Sequence, residues 1–249
     1  MHEPSEVPPE PSLRGVLFPK RGFSVTEMLI GLNVIVAAGL LALWGQEYRQ
    51  TLIRWAYDSW RAVREDRAYG LFLPTLFMHA GPGHLARNLA ALLAGSGAVE
   101  FLAGGRWALV VYLITGLAAA WVSYQGHDRP PLSVGASGAV MGLVGCTVAF
   151  IVRRRRLFNY AQQWKVWRVY VPMFLLLFLP TLVNADVHAH VGGFVCGLVL
   201  GIGVPPHPRV AALGAVDPLR DEEPEPESEP EPDPEAEPDP EPERGTNPL

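Results

Sequence analysis

Long apolar runs dominate this 249-residue chain and restrict what it can fold into. A helix needs roughly 20 residues to cross a bilayer. Five runs approach that length, at residues 28–44, 107–124, 136–152, 169–183 and 187–204. A sixth candidate, residues 85–103, is interrupted by Arg87, Asn88 and Glu100. The chain is therefore predicted to be an all-α polytopic membrane protein with six transmembrane helices.

Charge divides the chain into a basic body and an acidic tail. Residues 221–244 hold thirteen of the 25 acidic residues and one of the 20 basic ones, so the rest carries a net charge of +7. Basic loops stay on the cytoplasmic side of a membrane. Six spans place both the arginines at 153–156 and the basic N-terminal region on that side. We expect a multi-pass protein of the plasma (inner) membrane with both termini in the cytoplasm.

Three regions follow from these patterns. Residues 1–22 form a cytoplasmic extension, residues 23–204 the six-helix membrane domain and residues 205–249 a disordered tail. The tail alternates proline with Glu or Asp, so it repels itself and has no apolar surface to bury. Residues 46–73 would face outside although they carry five arginines, which breaks the charge rule. Their aromatic residues indicate a segment lying in the headgroup region.

Two polar motifs stand at the starts of separate spans. Residues 135–138 read Gly-Ala-Ser-Gly, and a serine among small residues has an uncrowded hydroxyl that suits a nucleophile. Such a motif alone is a weak signal, because small residues also fill transmembrane interfaces. His190 is a titratable side chain within a membrane span, which is costly and indicates function. The predicted topology places Ser137 and His190 at similar depth, so the two can meet.

Glycines flank both motifs at helical spacing. His190, Gly193 and Gly197 share one face of the last span. Gly138 and Gly142 form a matching pair on the serine-bearing span. Facing glycines let helix backbones approach closely, although membrane bundles use such seams for packing alone.

A third polar group precedes the 85–103 span. His84 and Asn88 are four residues apart and project together from the start of a helix. Their side chains are hydrogen-bond donors suited to a developing oxyanion. Capping a helix start is an equally good explanation, and the spacing does not separate the two.

Three motifs together resemble the rhomboid family of intramembrane serine proteases. They are His79-x4-His84-x3-Asn88, Gly-x-Ser-Gly around Ser137, and Ala-His-x2-Gly-x3-Gly from residue 189 to residue 197. The resemblance covers about residues 73–204. It implies a six-helix bundle with a Ser–His dyad in a water-filled cavity open to the outer face.

The resemblance also implies roles for individual residues. Ser137 would be the nucleophile and His190 the general base. The oxyanion hole would consist of His84, Asn88 and the backbone N–H of Ser137. The residues in supporting roles would be His79, Gly135, Gly138, Gly193 and Gly197.

Further positions agree with the family pattern or depart from it. Glu100 with Gly104 resembles the family's Glu-x-x-x-Gly stretch, with a structural role. The apolar residues 169–183 are predicted to form a lateral gate, as the resemblance also implies. Met141 stands where the family often has a tyrosine that stacks on the catalytic histidine. The usual Trp-Arg pair is absent from its place before His79.

The leading functional prediction is an intramembrane serine endopeptidase that cuts transmembrane segments near the outer face. Its partners would be transmembrane protein substrates and the lipid bilayer. No nucleic acid, cofactor or metal is expected, and oligomeric state is not addressed by the sequence. Asp186 is expected at a helix start and His188 at the membrane interface. Metal binding by His79, His84 and His190 is not expected, because it would leave the serine without a purpose.

Two other classes of function compete with this prediction. One is a catalytically inactive rhomboid-like protein that binds transmembrane segments, for which neither Ser137 nor His190 would be needed. The other is a small transporter with Arg87, Glu100 and His190 as midplane charges. Its polar groups would then be expected at broken helix centres, whereas here they stand near helix starts.

Overall fold

The computed structural model describes residues 24–128, 134–158, 164, 167–168, 171–172, 175 and 186–213. Regular structure in these residues is helical throughout. In chain order the helices are α1 (Val25–Trp44), α2 (Tyr48–Asp66), α3 (Phe72–Thr75), α4 (Pro82–Ala103), α5 (Gly105–Gly126), α6 (Ser137–Arg153), α7 (Val187–Gly203) and α8 (Pro208–Leu213).

The helices confirm the all-α polytopic membrane prediction. Three helical segments are long and apolar enough to cross a membrane, namely Val25–Asp66, which joins α1 to α2, then α4 and α5. Helices α6 and α7 are shorter apolar helices of 17 residues each. Five of the six predicted spans thus correspond to helices. The sixth, residues 169–183, lies outside the described residues except at 171–172 and 175.

Helix α1 is held to the bundle by its own start. Ser24 and Glu27 form a reciprocal capping box, which satisfies two backbone N–H groups that a helix start leaves free. The Glu100 carboxylate on α4 accepts hydrogen bonds from the backbone N–H groups of Val25 (3.0 Å) and Thr26 (2.9 Å). It also accepts one from the Thr26 hydroxyl at 2.7 Å. Glu100 therefore has the structural role that the sequence predicted.

Helices α6 and α7 pack backbone against backbone along the predicted glycine seam. A Cβ atom placed on Gly193 would lie 2.1 Å from the carbonyl oxygen of Gly138. One on Gly197 would lie 1.9 Å from the carbonyl oxygen of Gly142. Real side chains never approach so closely, so only glycine permits this spacing between the helices. The seam fixes how far α7 is shifted along α6, and with it the height of His190 relative to Ser137.

Helix α2 packs on the bundle by one face, in a role that the sequence did not predict. The five arginines at 49, 54, 61, 64 and 67 are exposed. On the opposite face, Leu52 is fully buried beside Met78 and Val134, with Tyr48 and Trp55 packed around them. Tyr48 and Trp55 were expected in the headgroup region. The structure shows that they pack against the two loops that lead into α4 and α6, because those loops supply an apolar surface.

The described bundle continues past residue 204, beyond which the tail was predicted to begin. The Arg154 guanidinium donates to the carbonyl oxygen of Val204 at 2.6 Å, and the backbone N–H of His207 donates to Leu102 at 2.7 Å. Val210, on α8, is buried. These tertiary contacts hold residues 205–211 against α4 and the end of α6, although proline ends α7 as expected. Residues 214–249 lie outside the described part of the chain.

The two ends of the bundle are called the Ser137 end and the Glu100 end. The Ser137 end contains the starts of α4, α6 and α7. The Glu100 end contains the start of α1 and the ends of α4, α6 and α7.

Candidate active site

Ser137 is the first residue of α6 and lies next to a histidine from α7. Its Oγ is 2.8 Å from Nε2 of His190, a hydrogen-bond distance. The His190 side chain is only 5% exposed. The structure therefore brings together the two side chains that the motifs singled out, although 53 residues separate them in the chain.

The start of α7 is shaped by Asp186, in the helix-start position predicted for it. Its carboxylate accepts a hydrogen bond from the backbone N–H of Ala189 at 2.9 Å and caps the helix. It also accepts one from the Ser123 hydroxyl on α5. His190 Nδ1 is buried and has no hydrogen-bond partner among the described residues. Asp186 is thus engaged with the helix start and with α5, and among the described residues no carboxylate forms a hydrogen bond with the Ser137–His190 pair.

Gly135 allows His84 and Asn88 to lie close to Ser137. Its backbone has φ +116°, a conformation that favours glycine, and its N–H donates to the carbonyl of Thr75 at 2.8 Å. A Cβ atom at this position would lie 2.9 Å from the His84 ring and 3.2 Å from Nδ2 of Asn88. His84 and Asn88 therefore lie against residue 135, two residues before Ser137.

A backbone hydrogen bond to His84 favours one tautomer of its ring. Nδ1 of His84 accepts a hydrogen bond from the backbone N–H of Ala80 at 3.3 Å. In a neutral imidazole the proton then resides on Nε2, which is free to donate. Asn88 is 1% exposed, and both polar atoms of its amide lack a partner among the described residues. Buried amides normally find partners, so the Asn88 amide is an unused donor at this place.

His79 supports this arrangement from the loop before α4. Its ring packs edge-on against that of His84, with centroids 5.3 Å apart. Nδ1 of His79 donates to the carbonyl of Phe77 at 3.1 Å, and the Tyr48 hydroxyl donates to the carbonyl of His79. Burial lowers the pKa of His79 to about 4, so its ring is neutral at physiological pH. Tyr48 is a contributor that the sequence did not reveal, since nothing local marks it.

The remaining predicted residues occupy the helix interfaces. Gly138, Gly193 and Gly197 lie in the seam described above. A Cβ atom on Gly138 would lie 2.5 Å from Cβ of Ala119, so α5 approaches here as well. Met141 is 1% exposed and belongs to the hydrophobic core.

The three charged residues that a transporter would use do not lie together at the middle of the bundle. Glu100 caps α1 at the Glu100 end, whereas His190 lies at the Ser137 end. Arg87 is exposed. These observations favour an arrangement for chemistry at one end of the bundle.

A second polar cluster lies close to this site. His127, Asp186 and His188 each place one potential ligand atom within 4.8 Å of the others. It is the only such cluster in the part of the chain that the structure describes. The sequence interpretation treated His188 as an interfacial residue and did not consider His127, because the contact between them depends on the packing of α5 against α7.

Comparisons with known proteins agree with the family that the sequence resembles. The family model of the Rhomboid domain matches residues 65–206. The chain is 26% identical over 182 residues to Rhomboid protease GluP of Bacillus subtilis (strain 168), covering 72% of this chain and 35% of that protein. It is 26% identical over 163 residues to Rhomboid protease AarA of Providencia stuartii, covering 56% and 58% respectively.

One further relative is named as inactive. Inactive RHOMBOID-like protein 8 of Arabidopsis thaliana is 26% identical over 139 residues, covering 55% of this chain and 38% of that protein. The chain spans between about a third and somewhat over half of the length of these three relatives.

Proposed function

This chain belongs to the rhomboid family, and on that premise we propose that it is an intramembrane serine endopeptidase that cleaves transmembrane segments of membrane proteins. The observation that carries the proposal is the 2.8 Å contact between Ser137 Oγ and His190 Nε2. A serine hydroxyl is a weak nucleophile until an adjacent base accepts its proton. A buried histidine on a separate helix supplies that base here.

The proposed reaction begins with attack by Ser137 on the scissile carbonyl carbon. His190 accepts the serine proton as the new C–O bond forms, and then donates it to the leaving amine as the peptide bond breaks. Water next attacks the acyl-enzyme, with His190 again acting as base, and releases the new carboxyl group. The pair acts as a dyad, since Asp186 is engaged in capping α7.

Three donors would stabilise the oxyanion. Nε2–H of His84 and the Asn88 amide are free to donate, and the backbone N–H of Ser137 is the third. The first N–H groups of an α-helix have no intrahelical acceptor and lie at the positive end of its dipole. Such preorganised donors lower the barrier because they need not reorient as negative charge develops.

We place the cut near the outer face of an inner membrane, with both termini in the cytoplasm. The support is the charge pattern, which assigns the arginines at 153–156 to the cytoplasm and hence the Ser137 end to the outside. A helical substrate hides its carbonyl groups, so it must unwind locally at this end of the bundle.

A catalytically inactive binder of transmembrane segments is the second candidate. Its support is the similarity to a relative named as inactive. Against it, a pure binder has no need for a buried histidine at hydrogen-bond distance from a serine. The same experiment separates the two candidates.

The test is cleavage of a tagged single-span substrate in liposomes by wild type, Ser137→Ala and His190→Ala. Both variants should lose at least about 10³-fold in rate, because nucleophile and base act as a unit. Ser59→Ala and His207→Ala, which lie outside the site, serve as matched controls and should cleave normally. Mass spectrometry of the fragments locates the cut, and a cut near the cytoplasmic face would contradict the proposed orientation.

A fluorophosphonate probe gives a second readout that does not depend on the choice of substrate. It should label Ser137 in wild type and in both controls. A wild-type protein that neither cleaves several unrelated substrates nor reacts with the probe would support the inactive binder.

A further inference from the structure

Two histidines and an aspartate meet outside the Ser137–His190 pair. His127 directly follows α5, whereas Asp186 and His188 belong to the start of α7. One ligand atom from each lies within 4.8 Å of the other two. The imidazole rings of His127 and His188 are 4.7 Å apart between centroids and nearly perpendicular, at 73°. Imidazole and carboxylate groups are usual donors to transition-metal ions.

The hydrogen bond of His127 leaves one ring nitrogen available to a metal ion. Its Nδ1 lies 2.9 Å from the carbonyl oxygen of Ser123. A carbonyl oxygen only accepts hydrogen bonds, so Nδ1 carries the proton and Nε2 keeps its lone pair. Metal-binding histidines are commonly fixed by this outer hydrogen bond to a carbonyl or carboxylate.

Asp186 is also held in place by its neighbours. One oxygen accepts from the backbone N–H of Ala189 and the other from the Ser123 hydroxyl. A carboxylate oxygen has two lone pairs, so each retains one for a metal ion. No arginine forms an ion pair with Asp186 among the described residues, so its negative charge is available to a cation.

The position of the His188 ring depends on a glycine at the end of α5. A Cβ atom on Gly126 would lie 2.3 Å from Cδ2 of His188. Any larger residue there would displace the ring from His127. The packing of α5 against α7 therefore leaves space for the two imidazole rings to lie next to each other.

We propose that His127, Asp186 and His188 bind a divalent transition-metal ion of the zinc class. Two imidazoles and one carboxylate match the ligands of zinc, whereas calcium and magnesium prefer oxygen ligands alone. Tetrahedral zinc with bonds of about 2.0–2.1 Å separates its ligand atoms by about 3.4 Å. The three ligand atoms lie within 4.8 Å of one another, which is farther apart than zinc requires. Because His188 is exposed, rotation of its side chain can shorten these distances.

The proposed ion would connect the end of α5 to the start of α7. His188 lies two residues before His190, so an ion here restrains the helix that carries the histidine of the candidate active site. The ion would not touch Ser137 or His190, because its ligands face α5. This proposal is independent of the proteolytic activity proposed above.

The test uses the full chain in detergent, purified with a tag that contains no histidine and stripped of metal with a chelator. Calorimetric titration with Zn²⁺ should show one equivalent bound per chain, and Co²⁺ should produce the visible absorption of a four-coordinate site. Mg²⁺ and Ca²⁺ should not compete. Zinc should also raise the unfolding temperature, since an ion that binds only the folded state stabilises it.

Two ligand variants and two controls decide the outcome. His188→Ala, at an exposed position, and His127→Gln should each weaken zinc binding at least tenfold and remove the thermal shift. His207→Ala should bind zinc normally. So should His84→Ala, which tests whether the ion instead occupies the candidate active site. Unchanged affinity in both ligand variants, or loss of binding in His84→Ala, would overturn the proposal.

Discussion

The two ends of the bundle differ in how Glu100 and Arg154 on one side, and Asn88 and His190 on the other, are hydrogen-bonded. At the Glu100 end, one carboxylate accepts three hydrogen bonds from the start of α1. Arg154 there binds the carbonyl of Val204. At the Ser137 end, both polar atoms of the Asn88 amide and Nδ1 of His190 are buried without partners among the described residues.

This difference separates stability from chemistry. A buried polar group without a partner costs about 1–3 kcal/mol, so a fold tolerates it only where another requirement acts. The bonded side chains of Glu100 and Arg154 hold helices together at the Glu100 end, although Nε1 of Trp107 is buried there without a partner among the described residues. Unsaturated groups at the Ser137 end keep donors available to a substrate. The glycine seam joins the two ends and fixes their helices in register.

Breaking the seam should have the largest effect, because it disturbs both ends. Gly197→Ala places a methyl group 1.9 Å from the carbonyl oxygen of Gly142, which forces α7 away from α6. We expect a loss of more than about 3 kcal/mol in unfolding free energy. Proteolytic activity should fall as well, since His190 moves with α7. Denaturant unfolding in detergent measures the first effect, and substrate cleavage the second.

Gly203→Ala is the matched control for this prediction. It lies on the same helix, and a Cβ atom there would have nothing within 4 Å. If the two variants unfold at the same denaturant concentration, the close backbone packing described here is wrong.

Removing an unused donor should affect activity and leave stability nearly unchanged. Asn88→Leu keeps a similar volume but deletes the amide that we assign to the oxyanion hole. The cleavage rate should fall about 10²-fold, equivalent to about 2.7 kcal/mol in the barrier. The unfolding temperature should be equal to that of wild type or higher, because an unpaired buried amide is removed. Activity within threefold of wild type would show that Asn88 only fills space.

Weakening the Glu100 end should have the reverse and smaller effect. Glu100→Gln keeps the shape of the side chain but removes the charge that binds Val25 and Thr26. We expect about 2 kcal/mol less unfolding free energy, with unchanged turnover per folded molecule. Glu65→Gln, on the exposed face of α2, is the control and should not shift the unfolding temperature measurably. A Glu100 variant that lost turnover at full stability would contradict the division between the ends.

Features that depend on local pattern were predictable from the sequence. The lengths of the apolar runs predicted four of the helices that the structure describes. The charge pattern favoured a further span at residues 85–103, which is α4, and helical spacing predicted the glycine seam. Placing Ser137 and His190 at similar depth predicted their contact, because both stand near the starts of helices that run in the same direction. Asp186 was predicted at a helix start for the same kind of local reason.

Features that depend on packing between distant segments were not predictable. The chain remains ordered past residue 204 because Arg154 and Leu102 supply partners that no local signal reveals. Tyr48 contacts His79 because one face of α2 packs on the loops of the bundle. His127 and His188 meet only because α5 and α7 pack together. Their positions in the sequence give no sign of this contact.

The long interval between Ser137 and His190 has a consequence for the timing of synthesis. These residues are 53 positions apart, and the second belongs to α7. A nascent chain that has reached only α6 therefore carries the proposed nucleophile without its base. The reactive pair comes into being when α7 docks along the glycine seam. The proposed protease would thus be inert throughout its own membrane insertion and would gain reactivity in one late assembly event.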